Sequence, residues 1–307
     1  MSWELSLTGL LVGVLVGLTG MGGGSLMTPL LVLVFGFNPT TAIGTDILHG
    51  AVFKTVGAFR HRRLKNVYAR LSGWMFITSA PMSLVGVVLA TWIKNRYGDS
   101  SESLAAQVLG VALIVGGVGL ILKTFLHVRE GDWHGRLTRR DRVAALLIGL
   151  FGGLIVGLTS VGTGVFFGLS LLVLFPMRSA KVVGTDIFHA AALLWVAGAG
   201  HLVAGNVDLG AVGWLLLGSI PGVLVGSQLT VRMPDRILRV ALATVLALSG
   251  AKLADLPHQA IVLPLVLLGG IGAIVWIARE GLRRPVRTDP VRAPAAVAAD
   301  TRRSGGP

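Results

Sequence analysis

The sequence predicts an all-α polytopic membrane protein made of two inverted repeats, each combining a glycine-broken helical hairpin with transmembrane helices. Three observations carry this: an apolar composition, an internal duplication, and an exchange of basic loops between the two copies. The chain has 307 residues, a mean hydropathy of +0.78 and only 13% charged residues. That is too apolar for an ordinary soluble domain. The net charge of +13 comes from Lys and Arg at helix ends and in the tail, where membrane topology puts them, so nucleic acid is not an expected partner. The absence of Cys removes disulfides, thiolate catalysis and Cys-based metal sites.

The duplication has an offset of 140 residues. Gly44-Thr45-Asp46-Ile47-Leu48-His49 falls on Gly184-Thr185-Asp186-Ile187-Phe188-His189. The turn Gly17-Leu18-Thr19-Gly20-Met21-Gly22-Gly23-Gly24 falls on Gly157-Leu158-Thr159-Ser160-Val161-Gly162-Thr163-Gly164. Asn66, Trp74 and Pro81 fall on Asn206, Trp214 and Pro221. Polar residues recur inside apolar stretches, where polarity is costly, and a duplicated polar site in an apolar repeat marks a membrane transporter.

Basic residues orient the copies. Arg60, Arg62, Arg63, Lys65 and Arg70 crowd one loop, whereas its partner around 201–209 has no Lys or Arg. Asn38-Pro39-Thr40-Thr41 is neutral, whereas its partner holds Arg178 and Lys181. Basic residues favour the cytoplasmic side, so equivalent loops are expected on opposite faces. The connector with Arg129, Arg136, Arg139, Arg140 and Arg142 is then cytoplasmic, and segment 143–175 enters and returns as a hairpin. Segment 5–37 does the same from outside. Each hairpin is expected to have arms of roughly 13–16 residues, reaching ~20–24 Å of a ~30 Å core.

The remaining spans are expected near 41–60, 71–93, 104–126, 182–200, 210–230, 237–254 and 260–278. Counting each hairpin arm gives eleven helices, with the N-terminus outside and the C-terminus cytoplasmic in the inner membrane. The expected organisation is a first repeat at 1–127, a connector at 128–142, a second repeat at 143–254, an extra helix at 255–278 and a basic disordered tail at 279–307. The first apolar run lacks a basic leading region and belongs to the repeat, so it is not read as a signal peptide.

The glycine turns are the first candidate site. Three consecutive glycines would weaken a helix by ~1 kcal/mol each, so the turns read as breaks. A helix starting after a break points free N–H groups and its positive dipole end at it. Gly22, Gly23, Gly24 and Ser25, with Gly162, Thr163 and Gly164, are therefore candidates for an anion site built from backbone and hydroxyl donors. Scattered glycines such as Gly116, Gly117 and Gly119 read as close-packing positions. No Gly-Lys-Ser/Thr follows either turn, so a P-loop is excluded.

The second group is polar. Asp46 and His49 share a helix face, as do Asp186 and His189. They read either as proton-handling groups beside the anion site or, with Thr45 and Thr185, as caps for amides freed by the hairpins. An ionised Asp would repel an anion unless neutralised. Lys54 has Leu194 as its counterpart; snorkelling toward Arg60 is favoured over pairing with Asp46 or binding substrate. His61 and His201 read as interfacial anchors, Trp74 and Trp214 as belt residues, and Pro81 and Pro221 as kinks. No metal site and no cofactor are expected.

Gly-Leu-Thr-Gly-Met-Gly-Gly-Gly-Ser-Leu-Met-Thr-Pro followed by an Ala-Ile-Gly-Thr turn, with a second copy reading Gly-Leu-Thr-Ser-Val-Gly-Thr-Gly, resembles the TauE/SafE sulfite exporter family over roughly 5–278, although Asp46 and Asp186 stand where many members are expected to have a small hydroxyl residue. The resemblance implies a two-repeat inner-membrane secondary transporter exporting sulfite, an organosulfonate or a related small anion. It also implies a substrate site at the glycine turns. The partners are then the bilayer and a small anion, with homo-oligomerisation left open. A passive anion channel and a carrier of another small organic anion stay open. An intramembrane aspartyl protease is disfavoured, because the motif is Gly-Thr-Asp rather than Gly-x-Gly-Asp.

Overall fold

The computed structural model describes residues 2–19, 24–97, 99–125, 133, 137–229 and 235–283. The described residues form eleven helices and no strand: α1 (Ser2–Thr19), α2 (Gly24–Leu33), α3 (Pro39–Arg63), α4 (Ala69–Tyr97), α5 (Asp99–Phe125), α6 (Arg139–Thr159), α7 (Phe166–Leu174), α8 (Ser179–Val203), α9 (Leu209–Leu229), α10 (Asp235–Leu253) and α11 (Gln259–Arg283). Five of them, within α4, α5, α6, α8 and α9, are long and apolar enough to cross a membrane. The chain is an all-α polytopic membrane protein.

Local sequence explains the helix ends. Asn38 caps α3 through a bond from the Thr40 amide, with Pro39 in the first turn, where its missing N–H costs nothing. Thr138 and Asp141 form a reciprocal capping box at α6. The ends of α3 and α8 turn through matched left-handed residues, Lys65 (φ 56°) and Gly205 (φ 70°). The amides of Asn66 and Asn206 then close on the carbonyls of His61 and His201.

The hairpin arms are unequal, which corrects the expected 13–16 residues each. At ~1.5 Å per residue, the 21-residue α6 is ~31 Å long and the 9-residue α7 only ~14 Å. The first hairpin is likewise split into 18 and 10 residues. The break therefore sits near the far end of a long first arm. α11 runs to Arg283, beyond the expected boundary at 278; the rest of the tail lies outside the described residues.

The two halves exchange partners. α1 packs along α9, and its counterpart α6 packs along α4. Small residues let the backbones approach. Gly9 and Gly13 face the backbones of Leu215 and Ser219, while Gly149 and Gly153 face those of Met75 and Ser79. These contacts are equivalent under the 140-residue offset. α3 packs on α8 and α5 on α10, with Gly110 and Gly250 meeting. Such packing suits a bilayer, where apolar side chains gain nothing by leaving lipid and close van der Waals contact drives association. The apolar core through Ile47, Met75, Phe167, Leu171 and Leu193 joins α3, α4, α7 and α8 and holds the second hairpin against both halves.

Candidate functional site

The turn of the second hairpin, residues 160–164, is the centre of the site. Ser160 is left-handed (φ 63°), and Gly162 and Gly164 have φ of 141° and 89°. Glycine adopts such backbone without Cβ strain, and the result is a compact loop in which the Phe167 amide reaches back to the Gly162 carbonyl at 3.2 Å. The equivalent candidates Gly22 and Gly23 lie outside the described residues. Gly24 and Ser25 begin α2.

Four side chains from three helices grip this turn. Ser160 Oγ donates to Asp46 Oδ2 at 2.7 Å. Lys54 Nζ donates to Thr163 Oγ1 at 2.6 Å. The Gly164 amide donates to Asp186 Oδ1 at 3.3 Å, and Lys123 Nζ donates to the Gly164 carbonyl at 3.3 Å. Asp46 and Lys54 come from α3, Asp186 from α8 and Lys123 from α5. All four are at most 6% exposed. Lys54 and Lys123 both act electrostatically on Asp186. Gly168 makes room for this: a Cβ there would lie 2.6 Å from Lys123 Nζ and 3.4 Å from Asp186 Oδ2. Buried charges are tolerated only when compensated, and two carboxyls with two ammonium groups supply that compensation.

Several expectations are corrected here. Lys54 does not snorkel; it is 4% exposed and ends on Thr163, because α8 and the hairpin cover that face of α3. Thr45 and Thr185 do not cap hairpin amides. Their hydroxyls accept the amides of Asp208 and Tyr68, at 3.0 Å each, and so clamp the loop before the other half's α9 or α4. Asp186 accepts the amide of Gly164 in the second hairpin's turn. His49 and His189 share a helix with the aspartates, but their Nε2 atoms meet Ser219 at 2.9 Å and Ser79 at 3.3 Å, on α9 and α4. His201 is no interfacial anchor: it is fully buried and its Nε2 lies 2.9 Å from the Gly157 carbonyl. Trp214 is 43% exposed, and Pro81 and Pro221 lie inside α4 and α9.

Sequence reasoning missed Lys123, Thr28 and Ser160. Lys123 is the one charged residue in the apolar stretch 104–126, three residues from its end, and that isolation was its signal. Thr28 Oγ1 donates to Asp46 Oδ2 at 2.6 Å. Nothing in its local sequence marks it. Among the described residues no cluster of His, Asp or Glu could hold a metal ion.

The geometry can do one thing well chemically. The Gly164 N–H bonds the Asp186 carboxylate, and Lys54 and Lys123, held on Thr163 Oγ1 and the Gly164 carbonyl, act on it through charge, so the helix break holds a built-in anion. A family model described as "Sulfite exporter TauE/SafE" matches residues 5–253. The chain is 38% identical over 255 residues to "Probable membrane transporter protein YjnA" of Bacillus subtilis, covering 82% of this chain and 100% of that protein. It is 26% identical over 240 residues to "Probable membrane transporter protein YdhB" of the same organism, covering 78% and 95%. It is also 23% identical over 263 residues to "Probable membrane transporter protein MJ0441" of Methanocaldococcus jannaschii, covering 80% and 92%. No solved structure matches the chain significantly.

Proposed function

The chain belongs to the TauE/SafE sulfite exporter family of membrane transporters, and on that premise we propose that it is a secondary transporter exporting a small sulfur-containing anion, sulfite or an organosulfonate, across the inner membrane. The observation that carries this is the set of donors around Asp186. A substrate oxyanion competes with the Asp186 carboxylate for the Gly164 amide and for the charge of the two lysines. Asp186 keeps those donors ordered and the lysines compensated while no substrate is bound, which lowers the reorganisation cost of binding. Backbone N–H at a helix break and ammonium groups suit tetrahedral or pyramidal oxyanions. Outward movement of each negative charge gains ~2.3 kcal/mol per 100 mV from an inside-negative potential.

Thr163→Val tests the site. Valine keeps the shape, removes the hydroxyl that Lys54 holds, and frees no backbone group. Sulfite efflux from proteoliposomes is expected to fall about tenfold, the effect of losing ~1.4 kcal/mol of hydrogen bonding, with the protein at normal levels. Wild-type efflux at normal levels would count against the site.

The repeat halves, 1–127 and 143–254, are read as inverted, with the N-terminus outside and the C-terminus cytoplasmic. The swapped basic loops support this. So does the reciprocal packing of α1 on α9 and α6 on α4, which a two-fold axis between the halves produces. Arg63 and Val203 are repeat equivalents at the ends of α3 and α8, and both are exposed. In this cysteine-free chain, Arg63→Cys is expected to react with an impermeant maleimide only from the cytoplasmic side, and Val203→Cys only from outside. Labelling of both from one side would overturn the inverted arrangement.

A further inference from the structure

The two repeat-related aspartates have acquired different surroundings. Asp186 faces Lys54, Lys123 and a backbone amide. Asp46 faces hydroxyls: Thr28 from α2 and Ser160 from the second hairpin's turn both donate to Oδ2, at 2.6 and 2.7 Å. The other oxygen, Oδ1, is buried and has no hydrogen-bond partner among the described residues. The equivalents of Thr28 and Ser160 are Gly168 and Gly20, so the second copy cannot make this pair. The equivalent of Lys54 is Leu194, so the first copy supplies a lysine the second lacks.

We propose that Asp46 is the site of a coupling proton, and that Asp186 is a fixed charge; this rests on the transporter reading above. A carboxylate that accepts a backbone amide in the field of two ammonium groups is favoured in its charged form. A carboxyl whose neighbours are hydroxyls accommodates both forms, because hydroxyls can donate to the carboxylate or rotate to accept from the acid. The proton goes to the open oxygen Oδ1 and removes the charge there.

The position gives that proton leverage. Asp46 is bonded at once to the first hairpin through Thr28 and to the second through Ser160. Protonation weakens two charge-assisted bonds into neutral ones, and so loosens both hairpins together. The remaining groups around Asp46 are accounted for. Lys54, on the same helix, is the charge acting on it and is held by Thr163. His49 is bonded to Ser219 of α9. Asp186 and His189 of α8 are engaged with the Gly164 amide and Ser79, and Lys123 of α5 with Gly164.

Two measurements on the full chain test this. In pH-difference infrared spectra, a protonated-carboxyl band is expected to titrate in the wild type and in Asp186→Asn, to vanish in Asp46→Asn, and to shift in Thr28→Val. In proteoliposomes loaded with ³⁵S-sulfoacetate, whose sulfonate carries a permanent charge, the ratio of pH-gradient-driven flux to self-exchange is expected to fall at least tenfold in Asp46→Asn. A band that survives Asp46→Asn, or vanishes only in Asp186→Asn, overturns the assignment. So does flux driven by a sodium gradient and indifferent to pH. If the wild type moves neither sulfite nor sulfoacetate, the substrate reading fails while the infrared result still decides where the proton sits.

Discussion

Lys123→Met is expected to abolish anion transport and to destabilise the solubilised protein by about 3 kcal/mol. The lysine is 6% exposed, and its ammonium bridges the Gly164 carbonyl and the neighbourhood of Asp186. Methionine fills the volume but leaves a buried carboxylate with one of its two counter-charges gone, and breaking a buried ion cluster from one side costs about 3–5 kcal/mol. Lys54 still acts on Asp186, which puts the expected loss at the lower end. The double variant Lys123→Met, Asp186→Asn removes both charges. It is expected to regain most of the stability, because replacing a whole buried ion pair is often nearly neutral, yet to stay inactive, because a donor to the anion is gone. Thermal unfolding in detergent and sulfite flux in proteoliposomes separate the two effects. A double variant that recovers flux along with stability would make Lys123 a structural residue and remove it from the anion site.

Gly44→Leu and Gly184→Leu are each expected to cost about 3 kcal/mol or prevent accumulation in the membrane. A Cβ at Gly44 would overlap the backbone carbonyl of Asn206, and one at Gly184 that of Asn66. Those carbonyls belong to loops already pinned by Thr45 and Thr185, so the backbone cannot retreat, and overpacking a close helix contact has this order of cost. Gly73 and Gly213 are repeat equivalents of each other with open space around them. Leucine at either is expected to change stability by no more than about 0.5 kcal/mol, as for open surface sites. Melting temperatures of the four variants check this. Equal losses at all four would show that the loop contact does not set the cost, since leucine has the better helix propensity at every one of them.

Much of this architecture is legible in the chain itself. Apolar runs, glycine breaks and capping residues are local, and each constrains the backbone within a few residues of itself. The eleven helices, the hairpin at 143–175 and the break after Thr159 follow from them. The repeat offset is likewise a property of sequence alone. It brings out Asp46 and Asp186 as equivalents and Lys54 as a residue with no counterpart.

What tertiary structure decided is everything that needs two helices at once. Periodicity fixes which residues share a face of one helix, so Asp46 and His49 read as a working pair. Packing assigned the histidine to Ser219 and the aspartate to Thr28 and Ser160. Packing also supplied the partner of the Ser160 hydroxyl at the end of α6, which is Asp46 on α3. Lys54 reads as a snorkelling residue from a helix considered alone, where the nearest water is the best solvent for an ammonium. Once α8, α5 and the second hairpin enclose that face, Thr163 and Asp186 are nearer than water, and the charge turns inward. Lys123 is the clearest case: 41 residues separate it from Gly164, and no local rule connects a lysine on one helix with a carbonyl in the turn of another.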